Sequence, residues 1–193
     1  MNSPDDKVIT SDDLPEGDII KILLDQHADI RELLDRVSSS SGDSRATAFA
    51  HLRTLLAVHE TAEEMILRPE TTNASGKEVA DARNDEEAEA TEVLKELESM
   101  EVDTPAFSTK FEDFKASVSE HADKEEREEF PGILATCDEA KRASMGRSVH
   151  SVESMAPTHP HPTAAGKPAA QWAVGPFAAM VDRARDLLSK SPS

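Results

Sequence analysis

VHETAEEMILRP (Val58–Pro69) and EHADKEEREEFP (Glu120–Pro131) carry one phrase twice: His, three residues, Glu, five residues, Pro. On a helix, residues four apart share a face one turn above the other, so each phrase sets an imidazole beside a carboxylate. The separation along the axis is about 6 Å, close enough for both groups to meet one ion or for one carboxylate to bridge two. Whether the phrases lie on helices, and which way they face, decides the fold.

The flanking residues answer through their periodicity. Ahead of the first phrase, Phe49, Leu52 and Leu56 lead at steps of three and four to His59, Glu63 and Ile66. Ahead of the second, Phe107, Phe111, Phe114 and Val118 lead to His121 and Glu125. Each set is one apolar stripe of an amphipathic helix. A third stripe, Ile20, Leu23, His27, Ile30, Leu34 and Val37, again holds a histidine where Leu or Ile is expected. The spacing predicts helices from Asp18 to Val37, from about Ser44 to Arg68 where Pro69 ends it, from Lys77 to Met100, and from the Thr104 cap with Pro105 in its first turn to the FPG at 130–132. A shorter helical stretch runs from Ile133 to about Met145. Four helices with short connections make an all-α, up-down-up-down four-helix bundle.

Around residues 18–145, which form the bundle, residues 1–17 read as a flexible lead-in and 146–171 as a Pro/Ala-rich linker. Residues 172–193 carry a C-terminal extension helix with Phe177, Met180, Val181, Ala184 and Leu188 inward. The 193 residues have a formal net charge of −18 and 37% hydrophobic content, with no Tyr and one Trp. Frequent Ala, Leu and Glu agree with helices rather than sheet. The acidity repels nucleic acid and anionic membranes, so neither is expected as a partner. The one cysteine, Cys137, excludes an intrachain disulfide and a thiolate-rich zinc or iron–sulfur site. MNSPDDKVIT lacks the basic and apolar regions of a secretion signal, and no apolar stretch is long enough to span a bilayer, so a cytoplasmic protein is expected.

The stripes of the first, second and fourth helices thus put His27, His59, Glu63, His121 and Glu125 inside the bundle. A single core histidine satisfied by one hydrogen bond is commoner than a ligand, but five such residues on three facing helices are a different matter. An unpaired carboxylate in a bundle core costs several kcal/mol. No Lys or Arg lies on those three stripes, so the compensating positive charge is expected from a metal ion, which binds imidazole and carboxylate together. Other motifs fail. HETAE (59–63) lacks the second His of a zinc peptidase, and no His has a Glu three residues before it. His51 reads as surface, His150 has no ligand context, and His159 and His161 fall in the linker.

The set resembles the hemerythrin-like, HHE cation-binding family. His27, His59-x-x-x-Glu63 and His121-x-x-x-Glu125 match its order, spacing and helix placement, and the two prolines fit as well. The linker and the GPFAAMVDRARDLL tail resemble those of bacterial members. The resemblance implies a non-haem di-iron centre in which Glu63 and Glu125 bridge, His27 and His59 are terminal ligands of one iron, and His121 binds the other. Hemerythrins supply further histidines to that second iron from the third helix; this chain has no His between His59 and His121. Its third helix offers NDEEAEATEVLKEL, where Glu87 aligns nearest the missing ligand and Glu86 and Glu89 are rivals. The expected cofactor is two non-haem irons, with a single iron or zinc on His27, His59, Glu63 and Glu125 as the alternative; more carboxylate and less imidazole favours the ferric state and speaks against a simple oxygen carrier. The expected ligand is O2, peroxide or NO, and the expected state a monomer or weak dimer. An iron or redox sensor reporting through the C-terminal helix, and a metal-free acidic interaction module, are the competing functions.

Overall fold

Asp18 caps the first helix as expected, its carboxylate accepting the Ile20 N–H at 3.0 Å. In this computed structural model, which describes residues 9–153 and 177–190, α1 then runs Ile19–Ser39 and α2 Gly42–Ala62. Next come α3, Arg68–Ser75; α4, Lys77–Glu98; and α5, Pro105–Lys124, whose cap Thr104 accepts the Phe107 N–H at 3.2 Å. The remaining helices are α6, Phe130–Thr136; α7, Glu139–Glu153; and α8, Phe177–Lys190. A 3-10 turn at Ser11–Asp13 stands inside the stretch read as a flexible lead-in. Among the described residues there is no strand, and the architecture is the expected all-α bundle. α1 packs on α2 and α5, α4 packs on α3 and α5, and α7 and α8 lie over α1 and α2. None of these helices is long and apolar enough to cross a membrane.

Pro69 and Pro131 do not end their helices. Each is met by a π-helical turn, Glu63–Leu67 before α3 and Glu125–Glu129 before α6, and the chain stays helical through the proline. A π turn closes i to i+5 rather than i to i+4, here with Arg68 N–H to Glu63 C=O and Phe130 N–H to Glu125 C=O. The widened turn moves away the carbonyl that the proline ring would otherwise strike. It also shifts the stripe. Ile66, expected inward, is only half-buried, while Leu67, Arg68 and Thr71 are buried; Glu129, Phe130 and Ile133 are buried in the other copy. Both π turns begin on the glutamate of the repeated phrase.

Two apolar clusters divide the interior. One gathers Leu34, Leu52, Leu94, Phe49, Phe107 and Phe111, with aromatic centroids 5.3–6.1 Å apart. The other gathers Ile19, Ile20, Leu23, Leu67, Phe130, Ile133 and Cys137. Burial of each large side chain stabilises the fold by about 1.5–3 kcal/mol.

The chain reverses between α3 and α4 at Gly76, whose φ of 93° is open to glycine and costly for other residues. α7 differs from expectation: the helix breaks at Cys137–Asp138, restarts at Glu139 and runs to Glu153, into the stretch read as linker. It is tied to α1 by Arg142, whose Nε donates to Asp18 Oδ2 at 2.7 Å. At Gly146 the α7 backbone meets the Gly17 carbonyl so closely that a methyl would collide with it and touch Ile22 Cδ1 at 3.0 Å. Gly146→Ala is therefore expected to destabilise by about 1–3 kcal/mol, as overpacking does. A urea midpoint equal to wild type would contradict this. Ala184 of α8 is buried and Val181 packs on the first cluster, as expected. The side chains of Phe177, Met180 and Leu188, together with Trp172, His159 and His161, lie outside the described residues.

Candidate metal centre

Between the two apolar clusters lies a polar layer. His27 sits on α1 between Leu23 of one cluster and Ile30 of the other, and His59 on α2 between Leu56 and Ala62. His121 lies one turn beyond Val118 on α5. His27 and His59 are 1% and 4% exposed, and Glu63 and Glu125 are fully buried. Each imidazole is held from behind. His27 Nδ1 faces Glu126 Oε1, His59 Nδ1 faces Gln26 Oε1 and His121 Nδ1 faces Glu86 Oε2, each at 2.9 Å. A proton on Nδ1 donated to these oxygens turns each Nε2 lone pair inward, the arrangement that orients imidazoles toward a metal. His27 is also stacked on Phe130 at 5.6 Å and meets His59 edge-on at 4.9 Å.

The inward nitrogens converge on the two glutamates. His27 Nε2 is 3.4 Å from Glu125 Oε2, His59 Nε2 is 3.5 Å from Glu63 Oε2, and His121 Nε2 is 3.2 Å from Glu125 Oε1. Two donor sets result, each with its ligand atoms within 4.8 Å of one another. One is His27, His59, Glu63 and Glu125; the other is Glu63, Glu87, His121 and Glu125. Glu63 and Glu125 belong to both. His27 Nε2, both Glu63 oxygens and Glu125 Oε2 are buried with no hydrogen-bond partner. Native interiors rarely strand such atoms, and a mixed imidazole–carboxylate set fits a divalent or trivalent ion.

On the third helix the structure separates the three candidate acids. Glu87 joins the second donor set, Glu86 clamps His121 while accepting from Lys124 at 2.8 Å, and Glu89 is exposed. His51, read as surface, is half-buried, and His150 is exposed.

One expectation is overturned. The buried acids do have a cationic side chain among them: Arg68, 4% exposed. Its Nη1 donates to Glu129 Oε2 at 2.6 Å, and its Nη2 donates to Glu87 and, at 3.3 Å, to Glu125 Oε1, with Glu63 Oε2 3.9 Å away. Arg68 lay off the stripe at α-helical spacing; the π turn brings it round. Glu129, Glu126 and Gln26 were missed as well. Glu126 is visible in hindsight as the neighbour of Glu125. It also accepts from Arg31 Nη1 at 2.9 Å, so a chain of polar contacts runs from His27 to the surface.

Protonation follows from burial and neighbours. Burial lowers the His27 pKa, but the neighbouring carboxylates of Glu125 and Glu126 outweigh it and the net shift is upward. Burial likewise opposes the charge on His121, yet Glu125 and Glu86 raise it to about 9. His59 is held well below its ordinary value by burial and by the nearby His27. Burial and the adjacent Glu125 push Glu63 well above the carboxylate range, whereas Glu125, despite burial, is pulled well below it by His121 and His27. Burial takes Glu87 to about 7 against the pull of Arg68. Both upward shifts, on His27 and on Glu63, favour the protonated form, so a cation in the first set competes with protons for these ligands. Metal titration at pH 7 should release protons, with heats that depend on the buffer's ionisation enthalpy and affinity that falls as pH is lowered. Equal heats in phosphate and Tris would contradict this.

A cavity of 30 Å³ touches the donors and is walled by Ile30, Leu56 and Val118. It has room for a molecule about the size of water. Glu60 and Glu87 line both this cavity and an outer groove of 390 Å³ that reaches Arg185 of α8.

The profile of the hemerythrin HHE cation binding domain matches residues 18–133. The chain is 30% identical over 140 residues to a protein of Schizosaccharomyces pombe described as an uncharacterized hemerythrin-like protein, covering 71% of this chain and 69% of that one. No solved structure matches it.

Proposed function

The chain belongs to the hemerythrin HHE cation-binding domain family, and from that premise we propose that it is a non-haem iron protein that binds or reacts with O2, peroxide or NO. The observation that carries the reading is the first donor set: two imidazoles fixed through Nδ1 and two buried glutamates, with four of their inward atoms lacking any hydrogen bond. His27, His59, Glu63 and Glu125 would hold the iron, with Glu87 and His121 completing the second set. Iron there would supply redox change and an open position for a small ligand.

The rest of the chemistry belongs to the protein. Ile30, Leu56 and Val118 keep the adjoining cavity apolar and small, which favours a diatomic molecule or peroxide over larger substrates. Gln26, Glu126 and Glu86 fix the ring orientations and strengthen the imidazoles as donors. The excess of carboxylate favours the ferric state and so turnover or sensing over reversible oxygen carriage. The Pro-rich segment and GPFAAMVDRARDLL tail support a relationship to bacterial members.

The test is anaerobic reconstitution with Fe(II), followed by elemental analysis and absorption spectra before and after admitting air. Bound iron and charge-transfer bands that develop on oxidation, both lost in His59→Ala, are expected. Wild-type protein that retains no iron, as a metal-free acidic module would, contradicts the proposal.

A further inference from the structure

The two donor sets are not equivalent. On the side of the first set, His27 Nε2 and Glu125 Oε2 face each other at 3.4 Å and both are orphaned, as are the two oxygens of Glu63, which the sets share. On the side of the second set, Glu87 Oε1 and Glu125 Oε1 both accept from one nitrogen, Nη2 of Arg68, and that nitrogen is also 3.9 Å from Glu63 Oε2. Three of the four members of the second set thus surround a guanidinium.

Arg68 is built into this place. It occupies the position before the proline in the first repeated phrase, where the second phrase has Phe130. The π turns swing both residues inward: Phe130 stacks on His27 beside the first set, and Arg68 reaches the second. Its other nitrogen is anchored by Glu129, which in turn accepts from Thr71. A guanidinium stays protonated at any working pH and offers a planar fork of donors suited to several carboxylates. A metal ion on Glu87 and Glu125 would claim the same lone pairs and stand against a like charge.

We propose that Arg68 is the resident cation of the second donor set, so that the chain holds one metal ion tightly, on His27, His59, Glu63 and Glu125, and excludes a second. This rests on the reading of the first set as a metal site. It accounts for the missing histidines of the third helix: a set already neutralised by arginine needs carboxylates there rather than imidazoles.

The experiment is anaerobic titration of the full-length, metal-stripped chain with Fe(II) or Co(II), with elemental analysis after gel filtration. One ion per chain is expected for wild type. His121→Ala should still bind one ion, weakened by no more than the roughly 10- to 100-fold worth of an outer-sphere contact. Arg68→Met should bind two. Wild type holding two ions of similar affinity would overturn the inference while leaving the metal site standing. Loss of the single ion in His121→Ala, or one ion in a folded Arg68→Met, would overturn it as well; should Arg68→Met not fold, the His121→Ala arm decides. No ion in wild type would overturn the metal reading and this inference together.

Discussion

Replacing Arg68 with methionine is expected to destabilise the metal-free protein by about 3–5 kcal/mol, the usual cost of removing one partner from a buried ionic cluster. Methionine keeps most of the volume, so packing is not the cause. The cause is that Glu129, Glu87 and Glu125 all lean on one guanidinium and two of them are fully buried. Without it those acids must bind protons or unfold. Burial already raises Glu87 to about 7 with Arg68 present. A carboxylate whose folded-state pKa exceeds its unfolded value costs stability as pH rises from the unfolded value through the folded one. The variant's deficit should therefore be greatest above pH 7 and shrink toward pH 5. Saturating Co(II) or Zn(II) should recover much of it, since an ion that binds only the folded chain stabilises by mass action. Urea midpoints at both pH values, with and without metal, check all three statements. A deficit under about 1 kcal/mol, typical of a surface ion pair, would contradict them.

The second large effect concerns His59. Its pKa is held well below the ordinary value by burial and by His27, so it enters coordination already neutral. Around it stand Gln26, which fixes Nδ1, and Leu56 and Ala62 above and below on the same helix. His59→Ala is expected to lose stoichiometric metal binding, a drop greater than the roughly 10- to 100-fold cost of an outer-sphere partner. Gln26→Leu supplies that smaller step, because the ring loses its orienting acceptor and keeps its position. Competition against a chromophoric chelator would rank wild type, Gln26→Leu and His59→Ala in falling order. Equal affinities for wild type and His59→Ala would remove His59 from the site.

Periodicity made much of this molecule legible. The stripes through Leu23, Leu52 and Phe111 declared three helices and their inward faces, and the caps at Asp18 and Thr104 placed two starts. The same stripes carried His27, His59, Glu63, His121 and Glu125 into one layer, because a polar residue in an apolar stripe has only the interior to face. What stayed hidden came from breaks in that periodicity. A π turn adds about one residue to a turn and leaves no sign in composition, so Leu67 and Arg68 could not be placed inward by counting in steps of three and four. Glu129 was lost in the same way. The prolines were the available signal. A proline two residues beyond a π turn is accommodated, so Pro69 and Pro131 marked altered helices rather than ended ones. The third-helix acids could be narrowed to Glu86, Glu87 and Glu89 but not separated, since every face of that helix carries acids and only its packing against α3 and α5 tells them apart.

The measurement that bears most directly on the account is anomalous diffraction at the iron or zinc edge from crystals of the stoichiometrically loaded protein. The account predicts a peak enclosed by His27 Nε2, His59 Nε2, Glu63 and Glu125, with Arg68 still on Glu87. A loaded crystal whose anomalous scatterer lies away from those four side chains would contradict it.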